Sequence, residues 1–172
     1  LYLFMIEEHH WTSVDGEKIA LALHYPAQGV RPCVVASHGL GASKEGDKYL
    51  LLSREFPLAG FAFCRFDFRG CGESQGDYAE STVEGRLRDL QAVLKFLGCH
   101  PAIAPAVSLM GSSLGGFIAL HCANVEPSVR CVVTWNTPVT LRGLKREHGG
   151  DLAGLGCAFF DELARETFAD AP

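Results

Sequence analysis

An α/β fold with a mainly parallel, doubly wound sheet is what this sequence predicts, and three observations carry the prediction. Apolar, buried-type runs recur at about 33–37, 61–67, 106–111 and 130–135. Helix-type stretches separate them; in one, Val83, Leu87, Leu90, Leu94 and Leu97 recur at spacings of four and three, giving a single apolar face. Each of the first three runs also ends in a glycine-containing loop. Strands that alternate with helices are joined by crossovers of one hand, so neighbouring strands run parallel.

Each element has its own signal. Residues 6–12 and 18–25 read as strands ahead of that core, and Asp15-Gly16 between them suits a tight hairpin. After the run at 33–37, residues 47–59 read as a helix, near whose end Pro57 removes a backbone donor. The run at 61–67 leads to the periodic helix, and the run at 106–111 to a helix-like segment at 117–123. Residues 130–135 form the last strand-type run. From Pro138 the character changes: 141–147 is polar, while Leu152, Leu155, Phe159 and Leu163 are spaced as one face of an amphipathic helix.

Composition excludes several function classes. In 172 residues, 48% apolar and 20% charged is ordinary for a globular domain. A formal charge of −5 without a basic run argues against a nucleic-acid surface. No membrane span is expected, and the apolar residues 1–6 are too short for a signal core and are followed at once by Glu7-Glu8. The chain does not begin with methionine, and both ends read as boundaries of a partial sequence. Seven cysteines lie mainly in apolar segments (Cys33, Cys64, Cys122, Cys131) without metal-ligand spacing. They read as buried thiols of a reducing compartment, hence a cytoplasmic protein, with no metal or cofactor expected.

The richest local signal is Gly111-Ser112-Ser113-Leu114-Gly115, which spells G-x-S-x-G between an apolar run and a helix-like segment. A strand turning sharply into a helix holds a serine at the tip of the sheet with its hydroxyl exposed. The spacing makes Ser113 the nucleophile, with Ser112 at the variable position. The plain alternative is a glycine-rich turn between buried elements. Two further loops decide against it: Ser37-His38-Gly39-Leu40-Gly41, and the stretch from Asp67 to Ser74. All three follow strand-type runs, and in a parallel sheet such loops gather at the carboxyl edge.

In carrying H-G-x, D-x-R-G-x-G-x-S and G-x-S-x-G in this order, the chain from about 6 to 135 resembles the α/β-hydrolase superfamily, in its serine aminopeptidase-like and esterase branch. The resemblance implies acyl transfer: Ser113 attacks a carbonyl carbon, and the backbone N–H groups of Leu40 and Leu114 form the oxyanion hole. Glycines 39, 41, 115 and 116 suit such loops, by unusual dihedrals and close backbone approach. The side chains of Leu40 and Leu114 are expected to face the acyl pocket. Asp67 and Arg69 are expected to organise their loop by pairing and by bonding to backbone groups rather than to act in catalysis. Cys71 stands where relatives often carry His or Asn, and reads as a passive loop cysteine.

In the resembled fold the acid and the histidine follow the serine in that order. Here one strand-type run follows Ser113. His121 lies two turns into a helix, and His148, among charged and glycine neighbours, reads as a solvated loop residue. His38 belongs to the oxyanion loop, and His9, His10, His24 and His100 to early strands or a Pro-bounded loop. Asp151, Asp161 and Asp170 follow no strand. The hydrolase-type sheet is therefore expected to be truncated before its last two strands, without the triad's acid and base. Residues 1–138 are read as the amino-terminal part of the core. Residues 139–172 are read either as the start of a helical cap or as a surface helix covering the sheet. The function expected is a serine hydrolase cleaving a carboxylic ester, less readily an amide, of a small-molecule acyl substrate. The alternative is a non-catalytic binding or scaffold protein that keeps the sheet. The oligomeric state is not read from the sequence.

Overall fold

Two strands, β1 (Met5–Val14) and β2 (Glu17–Pro26), open the fold as an antiparallel hairpin in the computed structural model, which describes residues 5–138. Asp15 and Gly16 both take positive φ, 54° and 85°, the conformation a two-residue hairpin turn requires. The chain continues through β3 (Arg31–Ser37), α1 (Asp47–Leu58), β4 (Ala62–Phe66), a single 3₁₀ turn at Tyr78–Glu80, α2 (Val83–Gly98), β5 (Ile103–Ser112), α3 (Leu114–Val125) and β6 (Val129–Trp135). The expected fold class is the one observed. Helix α3 starts directly after Ser113, three residues earlier than the apolar segment alone suggested. The stretch 139–172, read as cap or covering helix, lies outside the described residues.

The strand order is β1-β2-β4-β3-β5-β6, antiparallel at β1·β2 and β2·β4 and parallel thereafter. From β3 the chain steps to β4 on one side, then crosses back through α2 to β5 on the other. The direction of winding reverses between β3 and β5, and ligands bind in the crevice outside the carboxyl ends of strands at such a switch point. Ser37 is paired in register with Gly111, so the loops after β3 and β5 leave the sheet side by side.

Alternation along β3 sets the layers. Cys33 and Val35 turn to one face and join the larger core with Leu90, Val93 and Leu97 of α2 and Ile118, Ala119 and Cys122 of α3. Val34 and Ala36 turn to the other face, against Tyr49, Leu52 and Phe56 of α1; there Phe56 stacks on Phe63 at 5.2 Å between ring centroids. Both faces of β3 are apolar because helices cover both.

Buried ions fix the second loop. Asp67 is fully buried and accepts hydrogen bonds from the N–H of Lys44 (2.7 Å) and of Glu73 (2.9 Å), while Lys44 Nζ stands 3.1 Å from its Oδ2. Asp67 thus ties the loop after β4 to the loop after β3. Arg69 points elsewhere: Nη2 pairs with buried Asp89 of α2 at 2.7 Å and with Asp15 of the hairpin turn at 2.9 Å. Asp67 and Arg69 thus organise the loop by pairing and by bonding to backbone groups, as expected, with partners that lie on other elements.

Gly72 completes this arrangement. Its φ of +52° is left-handed, and a Cβ there would stand inside the carboxylate of Asp67. Gly16 is also left-handed but faces open space. Gly72→Ala is therefore expected to destabilise the fold by on the order of 3 kcal/mol, against about 1 kcal/mol for Gly16→Ala. Urea denaturation of the two variants checks the ordering, and equal losses would show that the carboxylate moves aside at little cost.

Candidate active site

The serine at the tip of β5 holds a backbone conformation that other residues avoid. Ser113 has φ 53° and ψ −125°, outside the left-handed helical well, and such geometry persists only when its surroundings enforce it. Its N–H donates to the carbonyl of Trp135 on β6 at 3.1 Å. Its own carbonyl accepts from the N–H groups of Gly116 (3.0 Å) and Phe117 (3.3 Å). Serines at helix N-caps ordinarily turn the hydroxyl back to cap the helix. Ser113 occupies the N-cap of α3 without doing so, and it is exposed. Ser112 is buried, and its Oγ accepts from Lys48 Nζ at 2.8 Å. The two adjacent serines thus differ in both access and engagement.

Small residues make the approach possible. A side chain on Gly115 would strike the carbonyls of Ser37 and His38, and one on Gly111 the backbone of Gly115 and Gly116. One on Gly116 would collide with Thr137, and one on Gly39 would meet Ser113 Cβ at 3.1 Å and the Ser112 carbonyl at 3.2 Å. None of these four has positive φ, so they are needed for space. Gly41 is the opposite case, with φ +61° and open surroundings.

The two amides expected to hold an oxyanion can be located. Leu114 is the first residue of α3, and Leu40 follows the glycine that lies against Ser113. Neither N–H has an acceptor among the described residues. The next amide, that of Gly41, donates to the Tyr78 hydroxyl at 3.2 Å, which fixes the loop just beyond Leu40. The amino end of α3 adds a partial positive charge. The side chains divide, however. Leu40 is half-buried at the core's edge, whereas Leu114 is only 2% exposed and packs within the larger core. The expectation that Leu114 faces an acyl pocket is therefore corrected: starting α3 at residue 114 places it on the inward face with Ile118, one turn on.

His38 is a structural residue. It is 1% exposed, and its Nε2 accepts the N–H of Phe68 at 3.1 Å, which leaves Nδ1–H to donate to the Gly39 carbonyl at 2.8 Å. Both ring nitrogens are occupied in pinning the first loop to the second. Cys71 is buried beside the Arg86 guanidinium, and burial raises its thiol, as a passive role requires. Among the described residues no histidine or carboxylate hydrogen-bonds Ser113 Oγ. His148, Asp151, Asp161 and Asp170 lie outside the described residues.

Sequence reasoning passed over Lys48, whose ammonium sits 5.0 Å from the Tyr49 ring and 5.3 Å from the Trp135 ring beside the elbow. It also passed over Lys44 and Tyr78. Their contacts cross between loops distant in the chain, which periodicity does not reveal.

Comparison with known proteins agrees with this geometry. Residues 28–146 match the family described as Serine aminopeptidase, S33. The chain belongs to that family of α/β hydrolases. Palmitoyl-protein thioesterase ABHD10, mitochondrial, of Rattus norvegicus is 33% identical over 100 residues, 58% of this chain and 32% of that protein. Thiohydrolase aneE of Aspergillus aculeatus is 30% identical over 132 residues, 74% of this chain and 40% of that protein. Mouse alpha/beta hydrolase domain-containing protein 10 superposes with a TM-score of 0.67 at 23% identity, covering 96% of this chain and 61% of that one; this likeness shows the fold. The matched stretches span 32% and 40% of the two curated relatives' own lengths. Both relatives are hydrolases by name.

The buried histidine makes stability depend on pH. Burial lowers the pKa of His38 from an ordinary 6.5 to about 4. The unfolded chain therefore takes up a proton near 6.5 that the folded chain refuses until about 4. Stability is full above 6.5 and falls as pH drops toward 4. His38→Gln keeps an acceptor for Phe68 N–H but does not titrate. Between pH 7 and pH 5 the wild type is expected to lose about 2 kcal/mol more than this variant in urea denaturation. Parallel losses would show that His38 is protonated in the folded protein.

Proposed function

We propose that this protein is a serine acyl hydrolase in which Ser113 is the nucleophile. The observation that carries the reading is the elbow: an exposed serine hydroxyl, held in a strained conformation and not engaged in capping its helix, beside two amides without acceptors among the described residues. In the proposed reaction Ser113 Oγ forms a bond to the substrate's carbonyl carbon as its proton passes to a base. The carbonyl oxygen becomes an oxyanion between the N–H groups of Leu40 and Leu114. One such donor contributes on the order of 3 kcal/mol to transition-state stabilisation. Collapse expels the leaving group, and water then hydrolyses the acyl-serine. Because His38 is fully engaged, the base is proposed to come from sequence after Pro138, in the order acid then histidine.

The substrate proposed is a carboxylic ester, with a thioester the form best supported. Two relatives are named a thioesterase and a thiohydrolase. A thiol, with a pKa near about 8.5, leaves far more readily than an alcohol and demands less of a general acid. The compartment proposed is a reducing one, as first read for the cytoplasm; six described cysteines are free thiols, and the rat relative is named as mitochondrial.

A fluorophosphonate probe tests the nucleophile in the full natural protein. Labelling is expected in the wild type and in Ser112→Ala, and is expected to vanish in Ser113→Ala. Equal labelling of wild type and Ser113→Ala would sink the assignment. Matched acyl thioester and oxygen-ester substrates test the leaving group, and a higher kcat/KM for the oxygen ester would return the reading to simple esterase.

A further inference from the structure

Far from the elbow, three potential metal ligands converge on one point. Glu8 and His10 are two apart on β1, and so share the face that α2 covers. His100 stands in the turn between α2 and β5. His10 Nε2 lies 2.9 Å and His100 Nε2 3.1 Å from the same oxygen, Glu8 Oε2, and the three atoms lie within 4.8 Å of one another. We propose that Glu8, His10 and His100 form a binding site for a divalent transition-metal ion, with Zn²⁺ the ion that two imidazoles and one carboxylate suit best.

The two distances to Glu8 Oε2 fit that occupant. Bonds of about 2.1 Å meeting at about 90–110° place neighbouring ligand atoms roughly 2.9–3.4 Å apart. The surroundings fit as well. Metal-binding carboxylates are held by outer hydrogen bonds, and here the other oxygen, Glu8 Oε1, accepts the Tyr25 hydroxyl at 2.8 Å, leaving Oε2 to the histidines. Ring contacts restrain both imidazoles: Phe96 lies 4.8 Å from His10, and Tyr25 lies 5.6 Å from His100. The side chains of Glu8, His10 and His100 are 34%, 30% and 12% exposed, open enough for an ion to enter.

Among the described residues no other histidine has this setting. His9 has Glu7 alone, and His24 lies against the Arg65 guanidinium, which repels a cation. Loading balances without an oxidant or an added base. Each neutral imidazole moves its proton from Nε2, where it now serves Glu8, to Nδ1. At His100 this gives up the long 3.3 Å bond that Nδ1 accepts from Ala102 N–H. Three protein ligands leave a position for water. The ion would join β1 to the α2–β5 turn, at the end of β5 opposite Ser113, so its role is to fasten the hairpin and not to take part in acyl transfer.

Titration of the metal-stripped chain with Zn²⁺ by calorimetry, and with Co²⁺ by its visible d–d bands, tests the site. One equivalent is expected to bind. Affinity is expected to fall at least tenfold in each of Glu8→Gln, His10→Asn and His100→Asn, and to stay unchanged in His9→Ala and Cys99→Ser. Zn²⁺ at a hundred times its Kd is expected to raise the folded-to-unfolded ratio about 100-fold in the wild type and not in the ligand variants. Absence of one-equivalent binding by the wild type overturns the proposal, leaving a hydrogen-bonded edge cluster. So does binding that survives loss of both histidines or disappears in Cys99→Ser. None of these outcomes bears on Ser113, because the wild-type titration does not read acyl transfer.

Discussion

The close approach of two backbones at the top of the sheet is the constraint on which the rest depends. The amino end of α3 lies against the carbonyls of Ser37 and His38, at a distance that admits no side chain on Gly115. Gly39 meets Ser113 less tightly, since a Cβ there would stand 3.1 Å from Ser113 Cβ. Because β3 and β5 are hydrogen-bonded neighbours with Ser37 opposite Gly111, the approach follows directly from the sheet's register. It sets the serine, its helix and the first loop as one rigid unit. Substituting any of these glycines would disturb all three together.

Rigidity of the outer loops has a different origin. Asp67, Lys44, Arg69 and Asp89 are charged groups taken largely or wholly out of water, which is costly unless each is paired. Each pairs across elements: the loop after β4 to the loop after β3, and the same loop to α2 and the hairpin turn. Arg86 extends the system, with its guanidinium 5.0 Å from the Phe68 ring and 5.6 Å from the Tyr78 ring. Tyr78 in turn holds the amide of Gly41. These pairings hold the loop around Leu40 in place without touching the serine.

Much of this was legible in the sequence because the signals were local. The hairpin, the strands and the periodic helix appear where residue patterns put them, and Ser113, which the G-x-S-x-G spacing picks, is exposed while Ser112 is buried. What was not legible depends on three-dimensional packing. Nothing near Asp67 in the chain names Lys44 as its partner, and nothing near Lys48 names Ser112. Leu114 misled for a simpler reason. Its place beside Ser113 suggested a pocket, but the first turn of α3 directs its side chain into the core. The meeting of Glu8, His10 and His100 was hidden because two members sit on the first strand and the third follows the second helix.

The hydrogen bond from Ser113 N–H to the Trp135 carbonyl has a consequence for biosynthesis. The elbow is held by a strand that the ribosome makes only after α3 is complete, and Thr137, which packs on Gly116, comes later still. A nascent chain that has emerged only through α3 contains the whole G-x-S-x-G stretch, yet lacks one of the hydrogen-bond partners that hold it. The turn then rests on its contacts with the first loop, and its full set of partners is present only when β6 docks. The geometry at Ser113 is thus completed late in synthesis, after every residue of the G-x-S-x-G stretch has been made.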